Sequence, residues 1–392
     1  MISITDAISI VKEHSKALQK KTVKKVEKAG GYLLFEDIIS PINMPPFRQS
    51  AMDGYALNLY DNVNYNLIGE VKAGDDHQPI LKKGDAVRIF TGAPVPNSAN
   101  AVMMQEKVES NGKTITIKDN ISLELNIRPL GEQVKTGDVA LKKDTKLTPA
   151  AIGYLISLGI TEVTVYKKPN IAIVTTGSEL IEAGQELTYG KIYESNSKML
   201  LSTLYSLKFY DVTLYKVEDD YNNTLKLLNT VINDNDLVLI TGGISVGDYD
   251  FVGKALKELE VEELFYKVKQ KPGKPLFFGK KDNTQIFALP GNPAAALSCF
   301  YIYVYIALQK MMHRNILELP RIQAKSISNF QKKGDRPQFL KAILKDGFVE
   351  ILEGQNSSML QTFALSNALV YAPETVTKIN KGDIIEVIQL PV

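Results

Sequence analysis

The apolar positions of the chain change their spacing along its length. Residues 171–313 alternate short apolar runs, typical of buried strands, with amphipathic segments such as 197–207 and 250–259 that predict helices. Strands that alternate with helices favour an α/β fold with a doubly wound, mostly parallel sheet. The uncharged run 294–309 follows a strand and a Pro-Gly-Asn-Pro turn and is shorter than the roughly 20 residues of a membrane span, so we interpret it as a buried helix.

The flanking regions have shorter apolar runs separated by turn residues. Residues 44–138 predict short strands, with a hairpin signal at Asn111 and Gly112, and this pattern indicates a β-rich insertion. Helical periodicity near the amino terminus predicts a helix capped by Thr5 or Asp6, and it returns after Thr148. Short strands resume after residue 320. We therefore predict domains at 1–168, 169–318 and 319–392, the last a small β-barrel.

Composition narrows the class of protein. The 392 residues carry a formal net charge of +2, which gives no global electrostatic reason to expect nucleic acid. Cys299 is the only cysteine, so an intrachain disulfide cannot form, and three scattered histidines argue against zinc. The amino terminus also lacks the pattern of a secretory signal peptide, in which basic residues precede a long apolar stretch. These features predict a cytoplasmic protein without a membrane partner.

Three apolar strands each run into a loop of small and polar residues, at 171–180, 237–250 and 285–294. The carboxyl ends of parallel strands meet at one edge of a sheet, where small ligands bind, so we expect the loops to form one crevice. Bare backbone N–H groups in such loops suit phosphate-like anions.

Carboxylates accompany these loops, at Glu179, Asp248 and Asp250. Two carboxylates about 4 Å apart repel by roughly 4 kcal/mol at an effective dielectric of about 20, and a pyrophosphate would add to that repulsion. The sequence therefore predicts a divalent cation among them. Ligands that are all oxygens, together with phosphates, favour magnesium over zinc.

Two loops carry the clearest anion-binding signals. Gly242 and Gly243 follow a buried strand and allow close backbone approach, and a sharp turn alone does not explain the polar residues around Ser245. The loop 269–275 holds three lysines between prolines, of which Lys271 and Lys274 are candidates for holding an oxyanion. A solvated charged face explains that loop equally well.

Three further polar residues lie in the predicted insertion. Asp53 precedes a glycine in the segment 47–56, Thr91 precedes another, and Asp138 ends a glycine-bounded turn. Each of these, taken alone, is explained at least as well by a tight turn.

In this order, the segments resemble the molybdopterin molybdenumtransferase family of MoeA-type proteins, which includes the E domain of gephyrin-like proteins. The similarity covers nearly the whole chain and runs through motifs at 45–56, 91–93, 131–138, 176–180, 241–250, 271–275 and 289–293. The resemblance implies a homodimer with its active site between subunits. It also implies that molybdate and adenylylated molybdopterin react, with magnesium, to give molybdenum cofactor and AMP.

The resemblance assigns roles to individual residues. It implies catalytic roles for Asp53, Thr91, Asp138, Glu179 and Asp250, and metal binding by Glu179, Asp248 and Asp250. Binding of the pterin nucleotide and oxyanion falls on Thr176, Gly177, Ser178, Thr241, Gly242, Gly243, Ser245, Asp248, Lys271, Lys274, Pro290, Gly291, Asn292, Pro293, Arg336 and Ser358. Tungstate is as suitable as molybdate, because both are tetrahedral dianions of similar size.

The chain departs from the common family pattern in two places. Arg48 and Gln49 stand where a pair such as Asp-Asn is frequent, and Ala294 and Ala295 stand where Val-Ser is usual. Ala295 cannot donate a hydroxyl hydrogen bond to an oxyanion.

Two other functions compete with this interpretation. Adenylyl transfer to molybdopterin uses the same central fold, but the additional β regions argue against it. A scaffold that clusters membrane receptors would not need the carboxylates, and the chain has no long disordered linker.

Overall fold

The computed structural model describes residues 1–243 and 251–392. The chain forms two compact units, one from residues 1–20 and 167–392 and the other from residues 21–166. The predicted sites Ser245, Asp248 and Asp250 lie outside the described residues.

The first unit contains a six-stranded sheet that is fully buried along its central strands. Its strands lie in the order Val212–Val217, Ile171–Thr176, Leu237–Thr241, Thr284–Leu289, Phe277–Lys281 and Glu262–Tyr266. The first four strands are parallel and the last two are antiparallel. Helices Asn196–Ser206, Tyr221–Asp234 and Phe251–Glu258 connect strands, as in a doubly wound sheet. The predicted mostly parallel sheet is confirmed.

The uncharged run forms one continuous helical segment, from Pro293 to Met311. An α-helix Pro293–Cys299 passes through a π-helical turn, Phe300–Val304, into a second α-helix, Tyr305–Met311. The segment is long and apolar enough to cross a bilayer, but 83% of its most apolar window is buried within the fold. It is a core helix, and it packs with the amino-terminal helix Ile4–His14. The cap of that amino-terminal helix is Ser3, whose hydroxyl accepts from the Asp6 backbone N–H, so Thr5 and Asp6 lie inside the first turn.

The carboxyl-terminal region is a closed five-stranded barrel, as predicted. Its strands lie in the order Arg321–Ser326, Phe348–Ile351, Gln338–Lys345, Ala368–Ala372 and Ile384–Gln389. A short helix, Leu360–Ala364, and the pair Phe330–Gln331 with Lys378–Ile379 complete it.

The second unit is β-rich. Its main sheet has the strand order Ala101–Met104, Gly54–Leu57, Asp85–Ile89, Asn64–Val71, Thr114–Ile117 and Val108–Ser110. Three short antiparallel pairs join Lys21–Lys25 with Glu162–Tyr166, Ile38–Ile39 with Val139–Leu141, and Gln49–Ser50 with Ile127–Arg128. The helix Pro149–Ser157 begins at Thr148, whose hydroxyl accepts from the Ala151 N–H, as the Thr-Pro sequence predicts.

Candidate active site

A cleft of about 1000 Å³ opens in the first unit, at the edge where the parallel strands end. The predicted site residues that line it are Thr176, Glu179, Thr241, Gly242, Gly243, Lys271, Lys274, Pro290, Gly291, Asn292, Pro293, Arg336 and Ser358. These residues come from six segments that are separated in sequence. The structure therefore brings most of the predicted binding residues to one place.

The strand directions explain why these segments meet. Ile171–Thr176, Leu237–Thr241 and Thr284–Leu289 are parallel, so their carboxyl ends reach the same edge. Phe277–Lys281 is antiparallel to the last of these, with Phe277 opposite Ala288, so it begins where the others end. The lysine-containing loop that precedes this strand, residues 269–275, therefore lies at the cleft.

The base of the cleft is formed by Gly242, Gly243 and Gly291, and no other residue could replace the first two without strain. Gly242 has a φ of +87°, and a Cβ there would lie 2.4 Å from the Thr176 carbonyl oxygen. Gly243 has a φ of +63°, and its Cβ would lie 2.6 Å from Thr176 Oγ1. A Cβ on Gly291 would in turn lie 3.8 Å from the Gly242 Cα. Backbone rather than side chains therefore faces a ligand here.

Residues 269–275, which we call the cation loop, contain one lysine that forms an ion pair and two lysines that form none with the described residues. Lys269 Nζ lies 2.7 Å from Glu374 Oε2 and is directed to the barrel. Within residues 1–243 and 251–392, Lys271 and Lys274 have no ion-pair partner. Because both lysines line the cleft, their charges are available to an anion. This contrast favours the oxyanion interpretation of the loop over the solvated-face interpretation.

A buried network beneath the cation loop fixes its shape. Gln270, only 1% exposed, donates from Nε2 to the Gly273 carbonyl oxygen at 3.0 Å and accepts a hydrogen bond from the Tyr303 hydroxyl. Tyr303 belongs to the π-helical turn of the core helix, and burial raises its pKa well above the usual value, so its hydroxyl stays protonated. A Cβ on Gly273 would lie 2.4 Å from Cys299 Sγ. Burial raises the pKa of that thiol to about 12, so it remains neutral.

The barrel contributes to the same cleft. Arg336 lines the cleft and donates from Nη1 to the Gln270 carbonyl oxygen at 3.1 Å. Residues 352–359, which we call the serine loop, bring Ser357 and Ser358 to it. Asn292 Nδ2 donates to Ser357 Oγ at 2.9 Å, and the Ala294 N–H donates to the Ser357 carbonyl oxygen at 3.1 Å.

The serine loop is held by one buried lysine of the barrel. Lys341 is 3% exposed, and its Nζ donates to the carbonyl oxygens of Gly354, Asn356 and Met359 at 2.8, 3.1 and 3.0 Å. Burial lowers the pKa of Lys341 to about 8. Its backbone N–H also donates to Gln355 Oε1, so side chain and backbone both brace the loop.

The carboxylates of the cleft are few among the residues that the structure describes. Glu179 is exposed, and its carboxylate folds back over Gly177, whose Cβ would lie 2.7 Å from Glu179 Oε2. Glu194 is occupied in capping a helix, because it accepts hydrogen bonds from the N–H and the hydroxyl of Ser197. No group of three His, Cys, Asp or Glu that could hold a metal ion occurs in the described part of the chain.

Two predicted residues lie beside the cleft and do not line it. Gly177 is covered by the Glu179 carboxylate, and the Ser178 N–H donates to Asp219 Oδ2 at 2.9 Å. The Ser178 carbonyl oxygen accepts from Lys191 Nζ at 2.5 Å. These contacts shape the turn after the first strand.

The predicted residues of the β-rich region belong to the second unit. Asp53 and Thr91 are exposed neighbours, and Asp53 Oδ1 accepts from the Thr91 N–H at 2.7 Å and from its hydroxyl at 2.8 Å. These two hydrogen bonds, with the backbone one the stronger influence, lower the pKa of Asp53. Asp138 is exposed in a turn, where its N–H donates to the Lys135 carbonyl oxygen.

Sequence reasoning missed several residues that line the cleft. The main ones are Leu180, Ile192, Tyr193, Asn196, Asn356 and Ser357. Leu180 and Ile192 are paired in a two-stranded ribbon that is too short to give a periodic signal. Asn196 opens the helix Asn196–Ser206 and was included in no motif. An Asn at a helix start next to a predicted ligand edge was the available signal.

Three family models match the chain in order along its length. The MoeA N-terminal region (domain I and II) matches residues 2–159, the probable molybdopterin binding domain matches residues 172–310, and the MoeA C-terminal region (domain IV) matches residues 323–390. Curated proteins named molybdopterin molybdenumtransferase are 32% identical in Staphylococcus epidermidis and 35% identical in Haemophilus influenzae. These alignments cover 99% and 92% of this chain, and 95% and 92% of the relatives. The chain belongs to the MoeA family of molybdopterin molybdenumtransferases.

Solved structures of MoeA proteins have the same fold. Two structures of a molybdopterin biosynthesis MoeA protein from Pyrococcus horikoshii give TM-scores of 0.83 and 0.80, at 28% and 30% identity. Each match covers 99% of this chain, and 99% and 100% of the Pyrococcus chains. The predicted MoeA-type fold and family are confirmed, and the chain is a transferase of molybdenum cofactor biosynthesis.

Proposed function

We propose that this enzyme inserts molybdate into adenylylated molybdopterin, in a magnesium-dependent reaction that releases AMP in the cytoplasm. The observation that carries the proposal is a set of three cations, Lys271, Lys274 and Arg336, that line one cleft with a glycine base and have no ion-pair partner within residues 1–243 and 251–392. Both substrates are anions, and such a cleft can gather them.

The cation loop would hold the oxyanion. Charge-assisted hydrogen bonds to an oxyanion are each stronger than neutral ones, and the two lysines need not give up an ion-pair partner among the described residues to make them. Arg336 adds a third positive group, and the Ser358 hydroxyl adds a neutral donor at the same cleft.

The glycine base and the strand ends would hold the pyrophosphate of the nucleotide. Gly242 and Gly243 expose backbone next to Thr241, and no side chain on either glycine obstructs approach. Pro290 and Pro293 bracket Gly291 and Asn292 on the neighbouring strand end, which limits the freedom of that loop.

Among the described residues of the cleft, one carboxylate, Glu179, is suited to bind magnesium. Glu179 is an exposed oxygen donor at the open edge of the cleft, and magnesium usually combines one or two carboxylates with substrate phosphates and water. Glu179 would hold the ion, with Asp248 and Asp250 as the further ligands that the family resemblance implies. Bound there, the ion would offset phosphate charge and polarise the bond that breaks.

The chemical step is a transfer at phosphorus. We propose that a molybdate oxygen attacks the adenylyl phosphorus while the P–O bond of the pyrophosphate breaks, which gives an adenylyl–molybdate anhydride and molybdopterin. The two dithiolene thiols of molybdopterin then bond to molybdenum, the Mo–O bond to AMP breaks so that AMP leaves, and one oxo ligand leaves as water with the two thiol protons. The residues of the cleft contribute mainly by holding several anions in one orientation, which lowers the entropic cost of the step.

The roles of Asp53, Thr91 and Asp138 are also part of the proposal. Their support is that Asp53 is exposed and held ionised by two hydrogen bonds from Thr91. We also propose a homodimer whose active site lies between subunits, so that these three residues act together with the cleft of the other subunit. This arrangement predicts that two inactive variants can complement each other. Mixing an Asp53→Ala variant with a Glu179→Ala variant should restore part of the activity that each lacks alone.

One incubation tests the proposed reaction. The purified protein, adenylylated molybdopterin, magnesium and either molybdate or tungstate should give AMP together with metal bound to the pterin. AMP release that requires neither oxyanion would contradict the proposal. Formation of adenylylated product from ATP and molybdopterin, without oxyanion, would instead identify the enzyme of the preceding adenylyl transfer.

A further inference from the structure

Two buried polar atoms of the cleft have no hydrogen-bond partner in the described structure. They are Thr176 Oγ1 and Asn196 Oδ1, and their residues are only 4% and 9% exposed. A third such atom, the Tyr65 hydroxyl, belongs to the other unit. Leaving a buried polar atom unpaired costs about 1–3 kcal/mol, so two in one cleft require an explanation.

The orientation of the Asn196 side chain is fixed by its other atom. Asn196 Nδ2 donates to the Gly291 carbonyl oxygen at 2.8 Å. An oxygen in that position would repel the carbonyl, so the amide cannot be turned around. The unpaired atom is therefore an acceptor, and it requires an N–H or O–H group.

Both unpaired atoms lie beside the glycine base. Thr176 Oγ1 lies 3.1 and 2.6 Å from the positions that a Cβ would take on Gly242 and Gly243. Asn196 is bonded to Gly291, which approaches Gly242. Leu180, Ile192 and Tyr193 line the same cleft and give it an apolar and aromatic surface suited to a planar ring.

We propose that Thr176 and Asn196 form a subsite that binds a hydrogen-bond donor of the substrate, an N–H or O–H of a heterocycle or ribose. The Asn196 oxygen is unsuited to phosphate, because an amide oxygen and a phosphate oxygen are both acceptors, whereas the Thr176 hydroxyl can either accept or donate. The donors that suit phosphate and oxyanion are the backbone of the glycine base and the cations of the cation loop and Arg336. The identity of the substrate rests on the proposed function, since adenylylated molybdopterin carries such donors on its pterin, adenine and ribose.

The test compares Thr176→Val with Thr176→Ser. Valine has the shape of threonine without the hydroxyl, whereas serine keeps the hydroxyl and loses only a methyl group. Binding of AMP, inosine monophosphate and a free pterin is measured by calorimetry, and unfolding of the unliganded protein is measured in parallel. We expect Thr176→Val to weaken binding of at least one probe about five- to tenfold, while Thr176→Ser binds within about twofold of wild type.

The free energy of unfolding distinguishes a binding role of the Thr176 hydroxyl from a structural one. If the hydroxyl had only a structural role, its removal would lower the stability of the unliganded protein. Removing an unpaired buried hydroxyl should leave the unliganded Thr176→Val protein as stable as wild type or more stable, although it binds less well. Asn196→Leu should weaken the same probe. Loss of stability in Thr176→Val with unchanged affinity for every probe would overturn the subsite.

The probes also identify the source of the donor. Weaker binding of AMP but not of inosine monophosphate assigns the donor to the adenine amino group, and weaker binding of the pterin assigns it to that ring. Weaker binding of both nucleotides to Thr176→Val and to Asn196→Leu assigns it to the ribose, because the Asn196 oxygen can accept from a ribose hydroxyl but cannot bind phosphate. If the wild-type protein binds none of the three, the proposed function fails and the subsite fails with it. If wild type binds a probe and Thr176→Val binds it equally well, only the subsite fails.

Discussion

Two parts of the cleft lining differ in how their polar atoms are paired. The cation loop rests on Gln270, which is bonded to Tyr303 and Gly273, and the serine loop rests on Lys341, whose three donors all have acceptors. Beside the glycine base, by contrast, Thr176 and Asn196 each keep one atom without a hydrogen-bond partner within residues 1–243 and 251–392.

The difference indicates two ways of preparing a site for a ligand. In the loops, satisfied buried hydrogen bonds fix the backbone, and Lys271 and Lys274 line the cleft without an ion-pair partner in the described part of the chain. Beside the glycine base, the unfilled hydrogen bonds are themselves the binding groups. Substitution of Gln270, Tyr303 or Lys341 should therefore lower both stability and ligand binding. Loss of the Thr176 hydroxyl or of the Asn196 side-chain oxygen should weaken ligand binding without lowering the stability of the unliganded protein.

The largest effect is expected from removing the free charges. A Lys271→Ala, Lys274→Ala double variant should raise the KM for oxyanion at least about 100-fold, because each charge-assisted hydrogen bond contributes about 1.5–3 kcal/mol. The measurement is AMP release against molybdate concentration. Lys269→Ala is the matched control, because Lys269 is paired with Glu374, and it should change KM less than about threefold. Equal effects of the two changes would contradict our distinction between paired and free lysines.

Removing the support of the serine loop should have the next largest effect. Lys341→Met keeps most of the side-chain volume but leaves three carbonyl oxygens without their donor, so the loop should loosen and KM for oxyanion should rise about tenfold. Lys345→Met, at an exposed position of the same strand, is the control.

The same variant tests the pKa of Lys341. Burial lowers that pKa from 10.5 to about 8, so above about pH 8 the folded chain releases a proton that the unfolded chain retains. Wild-type stability should therefore rise, relative to Lys341→Met, from about pH 8 towards 10.5, and the difference should be constant below that range. Urea unfolding at several pH values measures it, and a difference independent of pH would refute the assignment.

A smaller effect is expected beneath the cation loop. Tyr303→Phe leaves the Gln270 side-chain oxygen unpaired and should lower the free energy of unfolding by about 1–2 kcal/mol. KM for oxyanion should rise several-fold with little change in kcat, because Tyr303 supports the loop and does not line the cleft. Tyr305→Phe, at a half-buried position of the same helical segment, should change neither quantity appreciably.

The smallest effect concerns the departure at Ala295. Ala295 lines the cleft and is 2% exposed, and the hydroxyls of Ser357 and Ser358 lie at the same cleft. Ala295→Ser, which restores the usual family residue, should change KM for oxyanion by less than about threefold. A gain of tenfold or more would show that the serine loop does not replace the missing donor.

The sequence was sufficient for the parts of the fold that depend on local patterns. The buried runs at 171–176, 237–241 and 284–289 predicted the central parallel strands, and the small residues that follow them predicted the ligand edge. The Thr-Pro signal at Thr148 predicted a helix start, because capping depends only on neighbouring residues.

The remaining features depend on contacts between residues distant in sequence. Lys269, Lys271 and Lys274 look alike in one loop, and only Glu374, 105 residues beyond Lys269, distinguishes the first from the others. Lys341 interrupts a buried strand, and its acceptors on the serine loop cannot be read from that strand. The unpaired atom of Asn196 becomes visible only once Gly291 has fixed the amide.

The antiparallel hairpin formed by Phe277–Lys281 and Thr284–Leu289 has a practical consequence. One end joins the cation loop and the loop of Pro290 to Pro293, while the other is the exposed turn at Asp282 and Asn283. Six residues of strand place that turn about 20 Å from the cleft. A fluorescent label or a short inserted tag at the turn would therefore report on this hairpin without obstructing either anion-binding loop.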